Sequence, residues 1–199
     1  MIDLFIIFAK FPNMVMKRIN PKSLLRTIMT LVCALFFILA SEAGEIRRFT
    51  YRHGGMDRTY WLFLPSEIKE EAPLVMLLHG YGGKAEGYRP EMMDIAEEYG
   101  FALCYPQGAE DGKGKTCWNV GYPFQKGLKT DDVDFICSLT RHLQKKYSLS
   151  RKNTFCTGMS NGGEMCYLLA YLKPDVFAAF APIAGLSMGG FHAMHISKE

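Results

Sequence analysis

A single serine, Ser160, lies between two glycines in the stretch Gly158-Met159-Ser160-Asn161-Gly162. The residues before it, 153–157, are apolar and β-branched, which is typical of a strand, whereas residues 164–172 favour a helix. A strand that turns directly into a helix needs glycines on both sides of the turn, because neighbouring backbone occupies the space of a Cβ. The pattern therefore predicts a sharp turn that presents Ser160 as a candidate nucleophile at the edge of a β-sheet.

A second motif lies upstream, where the apolar run 73–78 is followed by His79-Gly80-Tyr81-Gly82-Gly83. A continuous apolar run of this kind favours a buried parallel strand. In hydrolases with a serine turn, two backbone N–H groups hold the oxyanion, one after the nucleophile and one in the loop after the third strand. Here these would be the amides of Asn161 and Tyr81. The alternative for the glycines is an ordinary turn, and for His79 we favour a structural role.

Composition indicates an ordinary globular domain, since 49% of the residues are hydrophobic and 22% are charged, and the sequence has neither low-complexity tracts nor internal repeats. Residues 1–43 contain five of the 23 Lys and Arg and two of the 20 Asp and Glu, so the remainder carries 18 of each sign. A neutral domain offers no basic stripe to nucleic acid. No C-x-x-C or clustered His and Cys spacing predicts a metal site. We therefore expect neither a nucleic-acid partner nor a bound metal.

The N-terminal region has the three parts of a secretory signal. A basic pair, Lys17-Arg18, precedes an apolar run of 13 residues, 28–40, and a small-residue cleavage site at 41–43. We predict an N-terminal extension and signal peptide at 1–43, one folded domain at 44–199, and a secreted or periplasmic protein. A retained membrane anchor is the weaker alternative, because a span needs about 20 apolar residues.

Export would bring the cysteines of the domain into a compartment where disulfides form. Five would remain after cleavage, and the odd number leaves at least one unpaired: Cys104, Cys117, Cys137, Cys156 and Cys166. Cys156 and Cys166 lie on apolar faces and are predicted to be buried thiols.

Periodicity predicts an opening hairpin followed by alternating strands and helices. Strands are expected at 45–52, 58–64, 74–78, 101–105, 153–157 and 177–183. Helices are expected from Pro90 to a stop at Gly100, from a cap at Asp131 or Asp132, and after Ser160. His142 is predicted on the solvent side of the second helix. This alternation predicts an α/β fold with a largely parallel sheet and right-handed crossovers.

Six ordered motifs between residues 74 and 185 resemble the secreted α/β-hydrolase esterases related to polyhydroxybutyrate depolymerases, which include feruloyl and acetylxylan esterases. The matching stretches are 77–83, 105–108, 117–119, 131–135, 157–163 and 174–185. The resemblance implies hydrolysis of carboxylic esters on plant cell-wall polysaccharides or polyesters, with no cofactor. It also places Trp118 near the substrate entrance, although a tryptophan in a glycine-rich loop is also consistent with a local packing anchor.

The match is incomplete at the catalytic triad. In this fold the serine is followed by an acid after the seventh strand and a histidine after the eighth, but only 39 residues follow Ser160. His192 and His195 are not assigned as bases, because no acid lies between the sixth strand and them, and Asp175 precedes that strand. We predict a C-terminally truncated α/β-hydrolase that lacks the last two strands and their helices, with an unpaired hydrophobic edge prone to association.

A serine without a base is a weak nucleophile at neutral pH, so impaired ester hydrolysis is expected. Oxyanion donors and binding alone leave a residual rate in hydrolases stripped of their triad. Two other functions stay open at this point. One is a secreted serine peptidase of the same fold, and the other is a secreted binding protein, or a truncated gene product, without catalysis.

Overall fold

The computed structural model of the protein describes residues 22, 27–29, 44–87, 90–125 and 127–187. The chain divides into two units, Met1–Ser41 and Glu42–Glu199. In the first unit only residues 22 and 27–29 are described, and they are helical and exposed. The predicted signal peptide at 1–43 thus falls almost wholly outside the described residues. No helix within the described ranges is long and apolar enough to cross a membrane.

The described part of the second unit contains one large sheet and one small hairpin. The strands, in chain order, are β1 (Glu45–His53), β2 (Met56–Leu64), β3 (Leu74–Leu78), β4 (Ala102–Pro106), β5 (Ala109–Glu110), β6 (Thr116–Cys117), β7 (Thr154–Met159) and β8 (Ala179–Ile183). The six-stranded sheet has the order β1-β2-β4-β3-β7-β8, and β5 pairs with β6. β1, β2 and β4 pair antiparallel, whereas β4, β3, β7 and β8 are parallel neighbours.

Three helices connect the parallel strands: α1 (Pro90–Tyr99), α2 (Asp132–Lys146) and α3 (Asn161–Leu172). Proline at the first position suits α1, because the missing N–H has no partner within a helix there. Gly100 ends this helix with φ of 70°. Asp131 caps α2, and its side chain accepts the N–H of Asp134 at 2.8 Å. Asp131 is thus the cap of the two candidates.

Apolar residues on both faces of the sheet pack against helices. On one face, Leu74 and Met76 of β3 are fully buried together with Ile136 of α2 and Leu169 of α3. On the other, Leu103 of β4 packs in a smaller cluster that includes Ala96 of α1. A sheet covered by helices on both faces is the layered arrangement expected for parallel strands.

The structure confirms the predicted α/β-hydrolase fold class, and each predicted strand and helix is present, with strand bounds within two residues of those predicted. The glycine-rich loop is the connection between β4 and α2 that carries Gly108, Gly112, Gly114 and Gly121. That loop contains the β5–β6 hairpin, which the sequence analysis did not predict, because each of its strands has only two residues. His142 is half-buried, and its ring lies 5.1 Å from that of Tyr51. The prediction that His142 faces solvent thus holds only in part, since the Tyr51 ring of β1 packs against one side of it.

Candidate active site

Ser160 occupies the turn between β7 and α3 in a strained backbone conformation. Its φ of 54° and ψ of −119° lie in a region that residues with a side chain rarely adopt, and such a conformation costs about 1–3 kcal/mol. Two hydrogen bonds hold it there. The Ser160 N–H donates to Ile183 O at 2.8 Å, and the Glu164 N–H donates to Ser160 O at 2.9 Å. The result is an exposed serine side chain on a rigid turn between strand and helix.

The two flanking glycines are required by space. A Cβ at Gly158 would lie 2.5 Å from Gly162 O and 2.9 Å from the Leu78 Cβ. A Cβ at Gly162 would overlap Leu78 O and would lie 2.7 Å from His79 O. All of these distances are shorter than van der Waals contact. The absence of a Cβ at the two glycines therefore allows α3 to approach the end of β3 closely. This explains the sequence pattern around Ser160.

The end of β3 also brings the 79–83 loop beside the serine. A Cβ at Gly80 would lie 3.6 Å from the Ser160 Cβ and 3.3 Å from Met159 O. Within the described loop, the Gly82 N–H donates to Thr116 O at 2.7 Å and the Gly83 N–H donates to Gly80 O. Neither of these backbone bonds involves the Tyr81 N–H. The loop thus carries the Tyr81 amide next to the nucleophile turn.

Asn161 supplies the second candidate amide at the first position of α3, where a helix offers no internal acceptor to the N–H. Its side chain is fully buried and forms a pair of hydrogen bonds with one residue of the glycine-rich loop. Asn161 Oδ1 accepts the Trp118 N–H at 2.8 Å, and Asn161 Nδ2 donates to Trp118 O at 3.1 Å. This pairing, which the sequence analysis did not foresee, locks the loop onto the start of α3.

Trp118 lies in the core with no exposed surface. Its Nε1–H donates to His79 O at 2.8 Å, and its indole ring lies 4.9 Å from the His79 ring. Trp118 thus bonds the loop after β3 through its side chain and α3 through its backbone, and the side chain does not face solvent. Of the two interpretations of Trp118, its placement favours the local packing anchor over contact with substrate.

His79 uses both ring nitrogens within the protein. Nδ1 lies 2.8 Å from Gly80 O, and Nε2 accepts the Gly108 N–H at 2.9 Å. Accepting at Nε2 requires Nδ1 to carry the proton and to donate to Gly80. Burial lowers the pKa of His79 below its ordinary value. A neutral imidazole with both nitrogens occupied organises the loop, as expected for a structural histidine.

The other described histidines also have partners away from Ser160. His53 Nε2 lies 2.8 Å from Asp134 Oδ2, and His142 packs on Tyr51. Together with His79, they leave Ser160 with no histidine in hydrogen-bond contact among the described residues. His192 and His195 lie outside the described residues.

A buried ion pair, absent from the sequence interpretation, holds the loops that surround the site. Arg58 Nη2 donates to Asp132 Oδ1 at 2.7 Å and to Gln107 O at 3.2 Å. Asp132 Oδ2 accepts the Asn119 N–H at 2.8 Å. The two side chains are 4% and 1% exposed. Sequence reasoning missed the pair because Arg58 and Asp132 are 74 positions apart along the chain, and charged residues are rarely buried.

The cysteines of the domain are all buried free thiols. Cys156 and Cys166 lie with their sulfur atoms 3.6 Å apart between β7 and α3, which confirms that both are buried. Among the described residues, no group of three or more His, Cys, Asp or Glu is arranged to hold a metal ion.

The sequence model of the family described as "Esterase PHB depolymerase" matches residues 58–198. Acetylxylan esterase A of Talaromyces purpureogenus is 26% identical over 157 residues, which cover 76% of this chain and 40% of that protein. Acetylxylan esterase A of Aspergillus oryzae is 26% identical over 159 residues, covering 77% of this chain and 50% of that protein. The solved acetyl xylan esterase from Aspergillus awamori superposes with a TM-score of 0.63 at 25% identity, over 74% of this chain and 54% of that one.

Each of these comparisons covers most of the chain, and the stretch that the family model matches includes the serine turn at 158–162. The chain covers about half or less of the length of the curated relatives it matches.

Proposed function

Because this chain belongs to the polyhydroxybutyrate depolymerase family of esterases, we propose that it is a serine carboxylic-ester hydrolase acting on acetyl or related esters of a plant polysaccharide, without a cofactor. The observation that carries this proposal is the strained, exposed Ser160 turn packed against the Gly80-Tyr81 loop. The relatives named acetylxylan esterases support the substrate class.

The proposed reaction follows from the roles of these groups. Ser160 Oγ attacks the carbonyl carbon of the ester, and the amides of Tyr81 and Asn161 donate to the oxygen that becomes negative. Collapse of the tetrahedral intermediate breaks the bond between the carbonyl carbon and the sugar oxygen. The sugar oxygen takes up the proton lost by the Ser160 hydroxyl and leaves as an alcohol, and an acyl-enzyme remains. Water then attacks the acyl group and releases the carboxylic acid, returning the proton to Ser160 Oγ.

Fixed amides are effective because they are in position before charge develops. Removing one donor of this type costs about 100- to 1,000-fold in rate in other serine hydrolases. Here Asn161 is held by two side-chain hydrogen bonds to Trp118, and the Tyr81 loop by those of His79. We infer that this bonding supports an oxyanion site in the protein without substrate.

Proton transfer is the step for which the described residues supply no group, because none of their histidines contacts Ser160. We therefore propose that this chain hydrolyses esters slowly, at the residual rate that nucleophile and oxyanion donors support.

A fluorophosphonate probe and acetate release from acetylated xylan test these proposals on the 199-residue chain. We expect slow labelling at Ser160, slow acetate release, and loss of both in Ser160→Ala. Equal acetate release by the wild type and Ser160→Ala would refute the ester-hydrolase proposal. Fast labelling that His192→Ala or His195→Ala slows would instead contradict the slow rate and identify the base.

A peptidase of the same fold would share the serine turn. Comparing hydrolysis of aryl acetates with that of peptide p-nitroanilides separates the two, and a Ser160-dependent preference for the amide would favour the peptidase. A protein that only binds carbohydrate would retain sugar affinity in Ser160→Ala and show no ester turnover in the wild type.

We further propose export through the predicted signal peptide at 1–43. N-terminal sequencing of protein recovered from the periplasm or the medium should begin near residue 44. A product that retains residues 28–40 would favour the membrane-anchor alternative.

A further inference from the structure

Three aromatic residues, two exposed and one half-buried, form a cluster beside the serine turn, which we call the aromatic ridge: Tyr81, Phe124 and the half-buried Tyr122. The rings of Tyr122 and Phe124 are stacked with centroids 4.9 Å apart. Tyr81 meets Phe124 edge to face at 5.7 Å. Tyr81 is 38% exposed and Phe124 is 45% exposed, so the ridge presents aromatic surface to solvent although its members pack on each other.

Both ends of the ridge connect to the candidate active site. Tyr81 follows Gly80, the loop residue that lies beside Ser160. At the other end, the Tyr122 hydroxyl donates to Glu164, in the first turn of the helix that begins directly after Ser160. A chain lying along the ridge would therefore pass beside the nucleophile.

Hydrogen bonds fix two of the rings in place. The Tyr81 hydroxyl donates to Asp111 Oδ2 at 2.6 Å, and this bond raises the pKa of Tyr81 to about 12. The Tyr122 hydroxyl is held by Glu164, and burial followed by this bond raises the pKa of Tyr122 to about 12. Rings held in this way lose little conformational entropy when a ligand stacks on them, which favours binding.

Polar groups border the aromatic surface. The Lys113 ammonium lies over the Phe124 ring, 4.8 Å from its centroid, on an exposed side chain that can move aside to the border and donate to a ligand hydroxyl. The Glu164 carboxylate at the opposite border can accept from one. An aromatic surface with a donor and an acceptor at its borders matches a pyranose ring, which has an apolar face of C–H groups and a periphery of hydroxyls. An aliphatic polyester has no hydroxyls to use these groups.

We propose that the aromatic ridge is a sugar-binding subsite, which stacks a pyranose ring of the polysaccharide and positions its ester at Ser160. This inference rests on the proposed ester hydrolysis for its catalytic consequence. The binding itself is independent of turnover, so the two can be tested separately.

The test of binding uses Ser160→Ala as the background, so that the ligand is not consumed. NMR titration with an unsubstituted xylo-oligosaccharide should show perturbed resonances at the ridge. Adding Phe124→Ala should weaken the affinity by about 10-fold, as expected for loss of one stacked aromatic contact. Phe124→Tyr keeps a ring and should retain the affinity. Tyr99→Ala, which removes a 70% exposed aromatic of α1 outside the ridge, is the matched control and should change nothing.

The test of positioning compares kcat/KM for an acetylated xylo-oligosaccharide with that for p-nitrophenyl acetate. Phe124→Ala should lower this ratio by about 10-fold, mainly through KM, and Tyr99→Ala should leave it unchanged. An unchanged ratio in an active Phe124→Ala enzyme would refute the positioning role.

Equal sugar affinity with and without Phe124, or no sugar binding at all, would overturn the subsite. Binding of 3-hydroxybutyrate oligomers that depends on Phe124, without binding of xylo-oligosaccharides, would overturn the assignment to sugars. If no Ser160-dependent ester release is found but sugar binding depends on Phe124, the ester-hydrolase proposal fails and the subsite stands.

Discussion

The substitution Asp132→Asn should destabilise this protein strongly, although Asp132 is outside the candidate catalytic groups. It removes the negative charge 2.7 Å from the Arg58 guanidinium in a site where the two side chains are 4% and 1% exposed. In this variant the charged Arg58 side chain stays buried, and the carbonyl of Gln107 is its remaining hydrogen-bond partner. The Phe135 ring, 3.8 Å from the Arg58 guanidinium carbon, gives partial compensation.

Breaking one partner of a buried pair costs about 3–5 kcal/mol, because the other charge stays desolvated and unpaired. A change of 1 kcal/mol shifts the melting temperature of a protein of 150–250 residues by about 2–4 °C. We therefore expect Asp132→Asn to lower the melting temperature by about 6–20 °C. The Asn119 N–H, which donates to Asp132 Oδ2 at 2.8 Å, keeps an acceptor only if the substituted side-chain amide turns its oxygen toward it.

Thermal melts followed by circular dichroism, with urea titrations for the free energy of unfolding, measure the effect. Asp134→Asn is a matched control, since it makes the same change two residues along α2 at a side chain that is 54% exposed. Its side-chain contact with His53 is worth at most about 1 kcal/mol at such an exposed site. If the free energy of unfolding of Asp132→Asn stays within about 1 kcal/mol of wild type, water or rearranged side chains stabilise the charge of Arg58. The prediction from the burial of the pair would then be wrong.

Two further predictions concern the loops around Ser160. Gly162→Ala should destabilise the protein by about 1–3 kcal/mol and abolish labelling of Ser160, because the added Cβ would overlap Leu78 O. Gly112→Ala is the control: its Cβ would have no heavy atom within 4 Å, so the melting temperature and the labelling should stay unchanged. His79 should titrate below its ordinary pKa of about 6.5, because burial disfavours the charged ring. The unfolded chain then binds the proton at higher pH than the folded one. The stability that the neutral His79 ring contributes is therefore complete above about pH 6.5 and is lost as the pH falls through the pKa of His79 in the folded state. ¹⁵N NMR of the His79 ring checks this, and a ring that titrates at or above about pH 6.5, or carries its proton on Nε2, would contradict the bonding described.

Much of the fold could be predicted from local patterns. The apolar run 74–78 has few alternatives to a buried strand, and the Gly158-to-Gly162 pattern requires a close approach of helix and strand. Both predictions hold because the deciding interactions lie within a few residues along the chain or follow from a strict need for space. Boundaries differed by one or two residues where the pattern is weak, as at the start of β8.

The support of the site could not be predicted in this way. The sequence points to Asn161 only for its backbone amide, and nothing near it in the chain indicates that its side chain bonds Trp118, 43 residues away. The resemblance places Trp118 near the substrate entrance, yet it lies fully buried. Helical periodicity predicts the solvent side for His142, and it does not show that the Tyr51 ring of β1 packs against it.

The amino-acid sequence alone determined the order of strands and helices and the sharp turn at Ser160, since these depend on short-range patterns of apolar side chains and glycine. Its six motifs carried the resemblance to the family whose model matches residues 58–198. Tertiary structure alone decided which distant groups meet: the Arg58–Asp132 pair, the bonds of His79 and Asn161 that hold the loops, and the aromatic ridge. Hydrogen bonds and buried charges depend on three-dimensional proximity and exclusion from water, and neither property is carried by the local periodicity of a chain.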